Sequence, residues 1–300
     1  MMNNKINKYM DYLKYQRNYS EKTIDSYYRE LDIYKSFLDR EHLLYNDITY
    51  DDIGAFFKYL DDMKYSKNSI AHIISVVRGF YNYLIRENVV LANPFNLVKS
   101  PKKDKKIPKF LYYNELEQLF SVPDVSTSMG ARDRLILELL YATGMRVSEL
   151  VNVKVSDIDF NKKQIKVLGK GSKERYVFFG DYALEYLNLY LNDAYKKLNK
   201  HKIDYLFINN KGTQLGERGV RVILDDLIKK GSLDMNISPH TLRHTFATHL
   251  LNEGCDILSV QELLGHSSLK ATQVYTHVTD ERVRNVYLHT HPRSMMKVKK

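Results

Sequence analysis

Ser238-Pro239-His240-Thr241-Leu242-Arg243-His244-Thr245-Phe246-Ala247-Thr248-His249-Leu250-Leu251 is the stretch on which the reading of this chain turns. Ser before Pro marks a helix start. Ser is a favoured N-cap, and Pro suits the first helical position, where its missing N–H would have no partner anyway. The pattern predicts a helix over 239–252. His240, Arg243 and His244 fall at i, i+3 and i+4, on one face of its first turns. The free N–H groups and partial positive charge of a helix N-terminus lie beside them. A cation-rich face at a positive helix end is suited to phosphate. Zinc binding by His240 and His244 is the duller alternative. The metalloprotease pattern needs Glu after the first His, where Thr241 stands, and no Cys or carboxylate accompanies the pair.

Working outward, residues 257–264 predict another helix, closed by Gly265 as its C′ residue. His266 follows in the turn. Ser267 or Ser268 is a candidate cap for a last helix around Tyr275, nine residues past His266. Upstream, Gln164–Leu168 and Glu174–Phe179 are rich in β-branched and aromatic residues and flank Gly169-Lys170-Gly171-Ser172-Lys173, which predicts a β-hairpin. The glycines let the backbone approach a ligand and leave Lys170 mobile. Before the hairpin, an apolar helix over 131–143 ends at Gly144, and Arg146 opens the next helix beside Ser148 and Glu149. Asn114 is a candidate cap for a helix over 115–120. Further helices are expected over 182–198 and 218–230, the latter carrying Arg218 and Arg221, which read equally well as phosphate contacts or as surface salt-bridge residues. Taken singly, an arginine such as Arg146 or a turn lysine such as Lys170 is ordinarily a solvated charge.

The first hundred residues predict four helices. Ile6, Tyr9, Met10 and Leu13 recur at helical spacing. Ser20 looks like the cap of a second helix, with Thr23, Ile24, Tyr27, Leu31, Tyr34, Phe37 and Leu38 along one face. Asp51 or Asp52 is the expected cap of a third, through Ile53, Phe56, Phe57 and Leu60. A fourth carries Ile70, Ile73, Ile74, Val77, Phe80, Tyr81 and Leu84. With short connections these make a small α-bundle. Lys64, Lys67 and Arg78 are positives that one side of it could gather. Residues 99–109 hold Pro101, Pro108 and a lysine run including Lys103 and Lys106, broken by Asp104. Two prolines and dense like charge cannot build a core, so this is a linker, either a solvated spacer or a strap along a phosphate backbone. The expected organisation is therefore 1–98, a helical domain; 99–109, a basic linker; and 110–300, a mostly α second domain with a small antiparallel sheet.

The bulk numbers set limits. Three hundred residues suit about two domains. An apolar fraction of 44% is ordinary for a folded chain, so disorder is not the default. Lys and Arg outnumber Asp and Glu by 46 to 36, a net charge of +10, which favours a polyanionic partner, nucleic acid before acidic membrane. The single cysteine, Cys255, excludes an internal disulfide and a cysteine zinc cluster, and fits a reducing cytoplasm. Neither a signal peptide nor a membrane-spanning run is expected.

Two arginines, a lysine, two histidines and a tyrosine, in the contexts ATGMRVSEL, LGKGSKER, SPHTLRHTFATHLL and LLGHSSLKATQVYTHV with the late HPR, resemble the tyrosine recombinases of the phage integrase family, and most closely the Xer recombinases. The resemblance extends to the N-terminal half at YSEKTIDSYYRELDIYKSFL and VVRGFYNYLIRENVVLANPF. The end, Val286-Tyr287-Leu288 and His291-Pro292-Arg293, leans toward the XerC branch. The resemblance implies an N-terminal SAM-like core-binding domain that clamps DNA and a catalytic α+β domain with a C-terminal docking tail. It implies Arg146, Lys170, His240, Arg243, His266 and Tyr275 as the active set, with Tyr275 the nucleophile. His244 and His249 match residues usual in the family but lie outside that set. Candidate DNA contacts are Arg78, Lys103, Lys106, Lys173, Arg218 and Arg221. The expected activity is cleavage and rejoining of DNA through a 3′-phosphotyrosine and a Holliday junction, without metal, ATP or other cofactor. The expected partners are a double-stranded recombination site and a homo- or hetero-tetramer with a second Xer-type recombinase, with no membrane. Chromosome dimer resolution at cell division is the expected setting. A phage or plasmid integrase, a DNA-relaxing enzyme and a non-catalytic DNA-binding protein on the same fold are the alternatives.

Overall fold

The computed structural model describes residues 2–99, 109–169, 174–234, 237–265 and 276–295, with backbone alone over 276–281 and at Met295. The chain divides into two compact units, Met1–Lys106 and Ile107–Lys300.

The first unit holds α1 (Met2–Asp11, prolonged by a wider turn to Gln16), α2 (Glu21–Arg40), α3 (Tyr50–Asp62) and α4 (Lys67–Arg86). Ser20 Oγ accepts from Thr23 N–H at 3.3 Å and starts α2, as its position predicts. At α3 the expectation needs correcting. Thr49 is the cap, its Oγ1 accepting from Asp52 N–H, while the Asp52 carboxylate accepts from Thr49 N–H at 2.8 Å. This reciprocal pair satisfies two end donors, and Asp52 serves it from inside the helix. The predicted apolar faces meet in one core: Leu31, Tyr34, Phe37, Phe56, Leu60, Ile74, Phe80 and Leu84 are buried, with Phe95 from the segment after α4 closing it. Tyr34 and Tyr81 share a hydroxyl contact of 2.8 Å inside it, and Tyr81 donates to Tyr45 O at 2.6 Å. Each buried hydroxyl thus keeps a partner.

The second unit runs α5 (Tyr113–Ser121), α6 (Ser128–Thr143), α7 (Val147–Leu150), β1 (Ile158–Asp159), β2 (Gln164–Leu168), β3 (Glu174–Phe178), α8 (Asp181–Leu189), which continues through a wider turn into α9 (Tyr195–Leu198), then α10 (Glu217–Lys230), α11 (Pro239–Asn252), α12 (Ile257–Leu264), α13 (Thr276–Thr290) and α14 (Pro292–Met295). Asn114 lies inside the first turn of α5 and is not its cap. Tyr112 holds that position, its N–H donating to Glu115 at 2.7 Å. The strands form an antiparallel meander in the order β1-β2-β3, with Ile165 opposite Val177 and Val167 opposite Arg175. The two-residue β1 pairs with Ile165 and Gln164 beside the predicted hairpin.

α6 is buried nearly all round, from Gly130 to Thr143, and is the central helix of this unit. Its buried polar residues are paired. Arg134 donates to Glu138 at 2.6 Å and to Phe120 O, and Glu138 also faces Arg293 of α14. Leu135, Leu139 and Ala142 share one core with Phe179, Leu187, Leu224, Leu242, Phe246 and Tyr287. Tyr141 on α6 meets His249 Nδ1 on α11 at 2.9 Å, and Leu111 N–H donates to Thr245 Oγ1 at 3.0 Å. The first contact joins α6 to α11 and the second holds the segment before α5 against α11; the candidate site is built at the ends of α6 and α11. No helix among the described residues is long and apolar enough to cross a membrane.

Candidate active site

Three separate pieces of chain meet at one cationic centre. The first is the end of α6. Gly144 caps it in the left-handed conformation, φ +57°, and an added Cβ there would lie 2.5 Å from Phe246 Cδ1 of α11. Glycine is therefore required both by conformation and by the close approach of α11. Two residues on, Arg146 is the N-cap of α7. Its N–H donates to Glu149 Oε2 at 2.7 Å, and its guanidinium reaches Glu149 Oε1 at 2.9 Å. One carboxylate thus fixes both the backbone and the side chain of Arg146.

The second piece is the start of α11. Ser238 Oγ accepts from Thr241 N–H at 3.2 Å and Pro239 takes the first position, as the sequence predicts. His240 is exposed in this first turn, and Arg243 is half-buried one turn along. Arg243 Nη1 donates to Gly144 O at 2.6 Å and Nη2 to Leu264 O at 2.7 Å. These carbonyls close α6 and α12, so Arg243 sits on the negative ends of two helices. Gly265 caps α12 at φ +64°, also left-handed.

The third piece is β3. Arg175 donates to both Glu149 oxygens, at 2.7 and 3.0 Å. The Glu149 side chain is 3% exposed and serves two guanidiniums at once. Burial alone would raise its pKa, but the hydrogen bonds from Arg175 and Arg146 outweigh that and hold it below the ordinary carboxylate value. Burial pushes Arg243 down to about 10, and the charges of Arg146 and Arg175 push the same way, against the pull of Glu149. Three guanidiniums around one carboxylate leave a net positive, partly desolvated centre. Arg146 keeps 35% of its side chain exposed, enough to meet an incoming anion. Planar guanidiniums match the paired oxygens of a phosphodiester.

Of the residues predicted for this site, Arg146 and Arg243 are brought together, with His240 one turn before Arg243. Lys170, His266 and Tyr275 lie outside the described residues, as do Lys103, Lys106 and Lys173. Arg218 and Arg221 are exposed on α10, three apart. Arg78 is half-buried and donates to Phe95 O at 3.0 Å and Val98 O at 2.8 Å, tying α4 to the segment that follows it. Sequence reasoning passed over Glu149 and Arg175. A signal existed for Glu149, which follows Arg146 by three, the spacing of an N-terminal carboxylate that reaches back. Nothing local marks Arg175, whose partner is 26 residues away. Among the described residues no group of three or more His, Cys, Asp and Glu is placed to hold a metal.

The family description "Phage integrase family" matches residues 109–282, and "Phage integrase, N-terminal SAM-like domain" matches 6–88. The tyrosine recombinase XerC of Anoxybacillus flavithermus is 49% identical over 293 residues, covering 96% of this chain and 98% of that one. The tyrosine recombinase XerC of Bacillus subtilis is 46% identical, covering 98% of each. Among solved structures, the XerH site-specific recombinase bound to difH substrate in a pre-cleavage complex is similar, at a TM-score of 0.68 and 25% identity over 91% of this chain and 78% of that one. A lambda integrase(75-356) dimer bound to a COC′ core site shares the fold, with a TM-score of 0.67 at 20% identity over 91% of this chain and 99% of that one. Matches of this identity along nearly the whole of both chains, with both domain descriptions in register, show that the chain belongs to the phage integrase family, among its XerC-like tyrosine recombinases.

Proposed function

We propose that the chain performs site-specific recombination of double-stranded DNA with Arg146, Lys170, His240, Arg243, His266 and Tyr275 as its active set. The observation that carries this is the meeting of Arg146 and Arg243, 97 residues apart in sequence, at one partly desolvated cationic centre with His240 close by on α11.

In the proposed reaction the Tyr275 oxygen forms a bond to the scissile phosphorus and the bond to the 5′-oxygen breaks. A tyrosine hydroxyl ordinarily loses its proton only at about pH 10, so a base must take it. His240 is the acceptor, and His266 orients the phosphate or the tyrosine. Lys170 gives a proton to the departing 5′-oxygen, yielding a 3′-phosphotyrosine and a free 5′-hydroxyl. Arg146 and Arg243 hold the non-bridging oxygens as negative charge builds. In sites of this kind a single donor is worth about 3–4 kcal/mol of barrier. One phosphodiester replaces another of similar energy, so the covalent link stores what rejoining requires. Attack by a 5′-hydroxyl from a second duplex completes one exchange and leaves a Holliday junction.

The N-terminal helical domain, residues 1–98, and the catalytic domain, residues 110–300, would grip the duplex, with the basic segment 99–109 between them. The partners that fit are two copies of a recombination site and a tetramer shared with a second Xer-type recombinase, in which the C-terminal tail docks on a neighbour. Resolution of chromosome dimers at cell division, in the cytoplasm, is the setting that the XerC-like identity supports. The test is incubation with two marked DNA sites, with and without a sister recombinase from the same cell. Exchanged products are expected. Relaxation of supercoils with no exchanged product would instead favour a DNA-relaxing enzyme on the same fold.

A further inference from the structure

We infer that Arg175 is a positioning residue for DNA cleavage, acting through Glu149 to hold the Arg146 guanidinium against the scissile phosphate. The inference rests on the proposed recombinase reading and extends it to a residue outside the active set.

Arg175 lies on β3 opposite Val167, on the same strand face as buried Val177, so its side chain runs toward the interior and not to solvent. Its two terminal nitrogens donate to the two Glu149 oxygens at 2.7 and 3.0 Å, a two-point pairing of fork and carboxylate. The same Glu149 oxygens take Arg146 Nη1 at 2.9 Å and Arg146 N–H at 2.7 Å. Glu149 therefore has no freedom to turn without breaking a bond to Arg175, and Arg146 inherits that rigidity. Without Arg175, a buried carboxylate would face Arg146 alone and draw it inward, away from an exposed phosphate.

Arg175 also touches the turn after α12. A Cβ added at Gly265 would lie 2.7 Å from Arg175 Nε and 3.0 Å from Cζ. This nitrogen is itself buried without a hydrogen-bond partner. The guanidinium is packed against the backbone immediately before His266 while gripping the carboxylate of the Arg146 segment. It therefore ties together β3, the α6–α7 junction and the end of α12. A surface ion pair would have none of these constraints. A misplacement of about 1 Å in a reacting group costs about 100-fold in rate, so a residue that fixes Arg146 at this precision shapes cleavage without touching DNA.

The test uses the full-length protein with Arg175→Met and Arg175→Lys. Each is assayed for DNA binding and for the rate of covalent-complex formation at saturating nicked DNA. Arg175→Met is expected to bind DNA as wild type does and to cleave about 10- to 100-fold more slowly. Arg175→Lys, which keeps the charge but cannot span both oxygens, should fall between the two. It carries the same comparison if Arg175→Met fails to fold. The diagnostic readout is a methylphosphonate at the scissile position, which removes the non-bridging charge that Arg146 answers. Most of the deficit should vanish on that substrate, and none should vanish on a substrate with sulfur at the leaving 5′-position. Rescue by sulfur alone would overturn the route through Arg146. Cleavage equal to wild type would show no part in cleavage, and cleavage slowed equally on all three substrates would show a general structural role; either overturns the inference while leaving the recombinase reading standing. A wild-type protein that traps no covalent complex would overturn that reading, and this inference with it.

Discussion

At Arg243 the fold keeps a guanidinium half out of water by giving it two helix-end carbonyls, Gly144 O and Leu264 O. Burial and the neighbouring Arg146 and Arg175 lower its pKa to about 10, so it stays charged throughout the neutral range. Its anchor depends on Gly144. Gly144→Ala forces a left-handed alanine and drives a methyl to 2.5 Å from Phe246. Loss of about 2 kcal/mol or more of unfolding free energy is expected in urea melts, with slower DNA cleavage. Unchanged stability would mean that the α6–α11 contact is looser than described. Lys170 answers a different question. As the proposed acid, its replacement in Lys170→Ala should slow cleavage of ordinary DNA and be largely repaired when sulfur replaces the leaving 5′-oxygen, because a thiolate leaves without a proton. Failure of that rescue removes Lys170 from the acid role.

Among the elements, the α13–α14 junction carries a pH dependence. His291 is fully buried, its ring stacked on Tyr287 with centroids 5.0 Å apart and close to Tyr141 and Phe246. Burial lowers its pKa to about 3, with His249 and Arg293 adding to the effect. His249 is also lowered by burial. Between pH 6.5 and 3 the unfolded chain binds a proton at His291 that the folded chain does not, so stability falls as pH falls. The expected slope is about 1.4 kcal/mol per pH unit from this residue. Melts of wild type and His291→Gln at pH 7 and pH 5 check it, and an equal loss in both proteins would contradict it. The elements themselves were largely legible. α11 starts where Ser238-Pro239 requires, α12 ends at Gly265, and the hairpin strands fall where β-branched residues cluster, because caps, left-handed glycines and strand alternation are local signals. Thr49 and Asp52 each offer an oxygen to the other's N–H, so the cap of α3 could be read on either side of the pair. β1 is two residues long and exists only through its pairing with β2. The Arg175–Glu149 link joins segments 26 residues apart, and no periodicity announces it.

For the molecule as a whole, the +10 charge acquires meaning once the arginine centre is in place. Affinity for duplex DNA should fall linearly in log–log form as salt rises. If Arg218 and Arg221 meet phosphates, replacing each with alanine should flatten that slope by about 0.9. An unchanged slope makes them ordinary surface charges on α10. The legibility of the site follows the same division: the resemblance of several motifs to the tyrosine recombinases proposed the six side chains, of which the structure brings Arg146 and Arg243 together, whereas the scaffold around those arginines appears only in the fold. Everything proposed for this chain reduces to a bond between Tyr275 and DNA, and a suicide substrate nicked beside the cut site tests it directly. Wild type should give a covalent protein–DNA adduct whose peptide maps to Tyr275, and Tyr275→Phe should bind the same DNA and give none. An adduct on another residue, or one that persists in Tyr275→Phe, would contradict the mechanism.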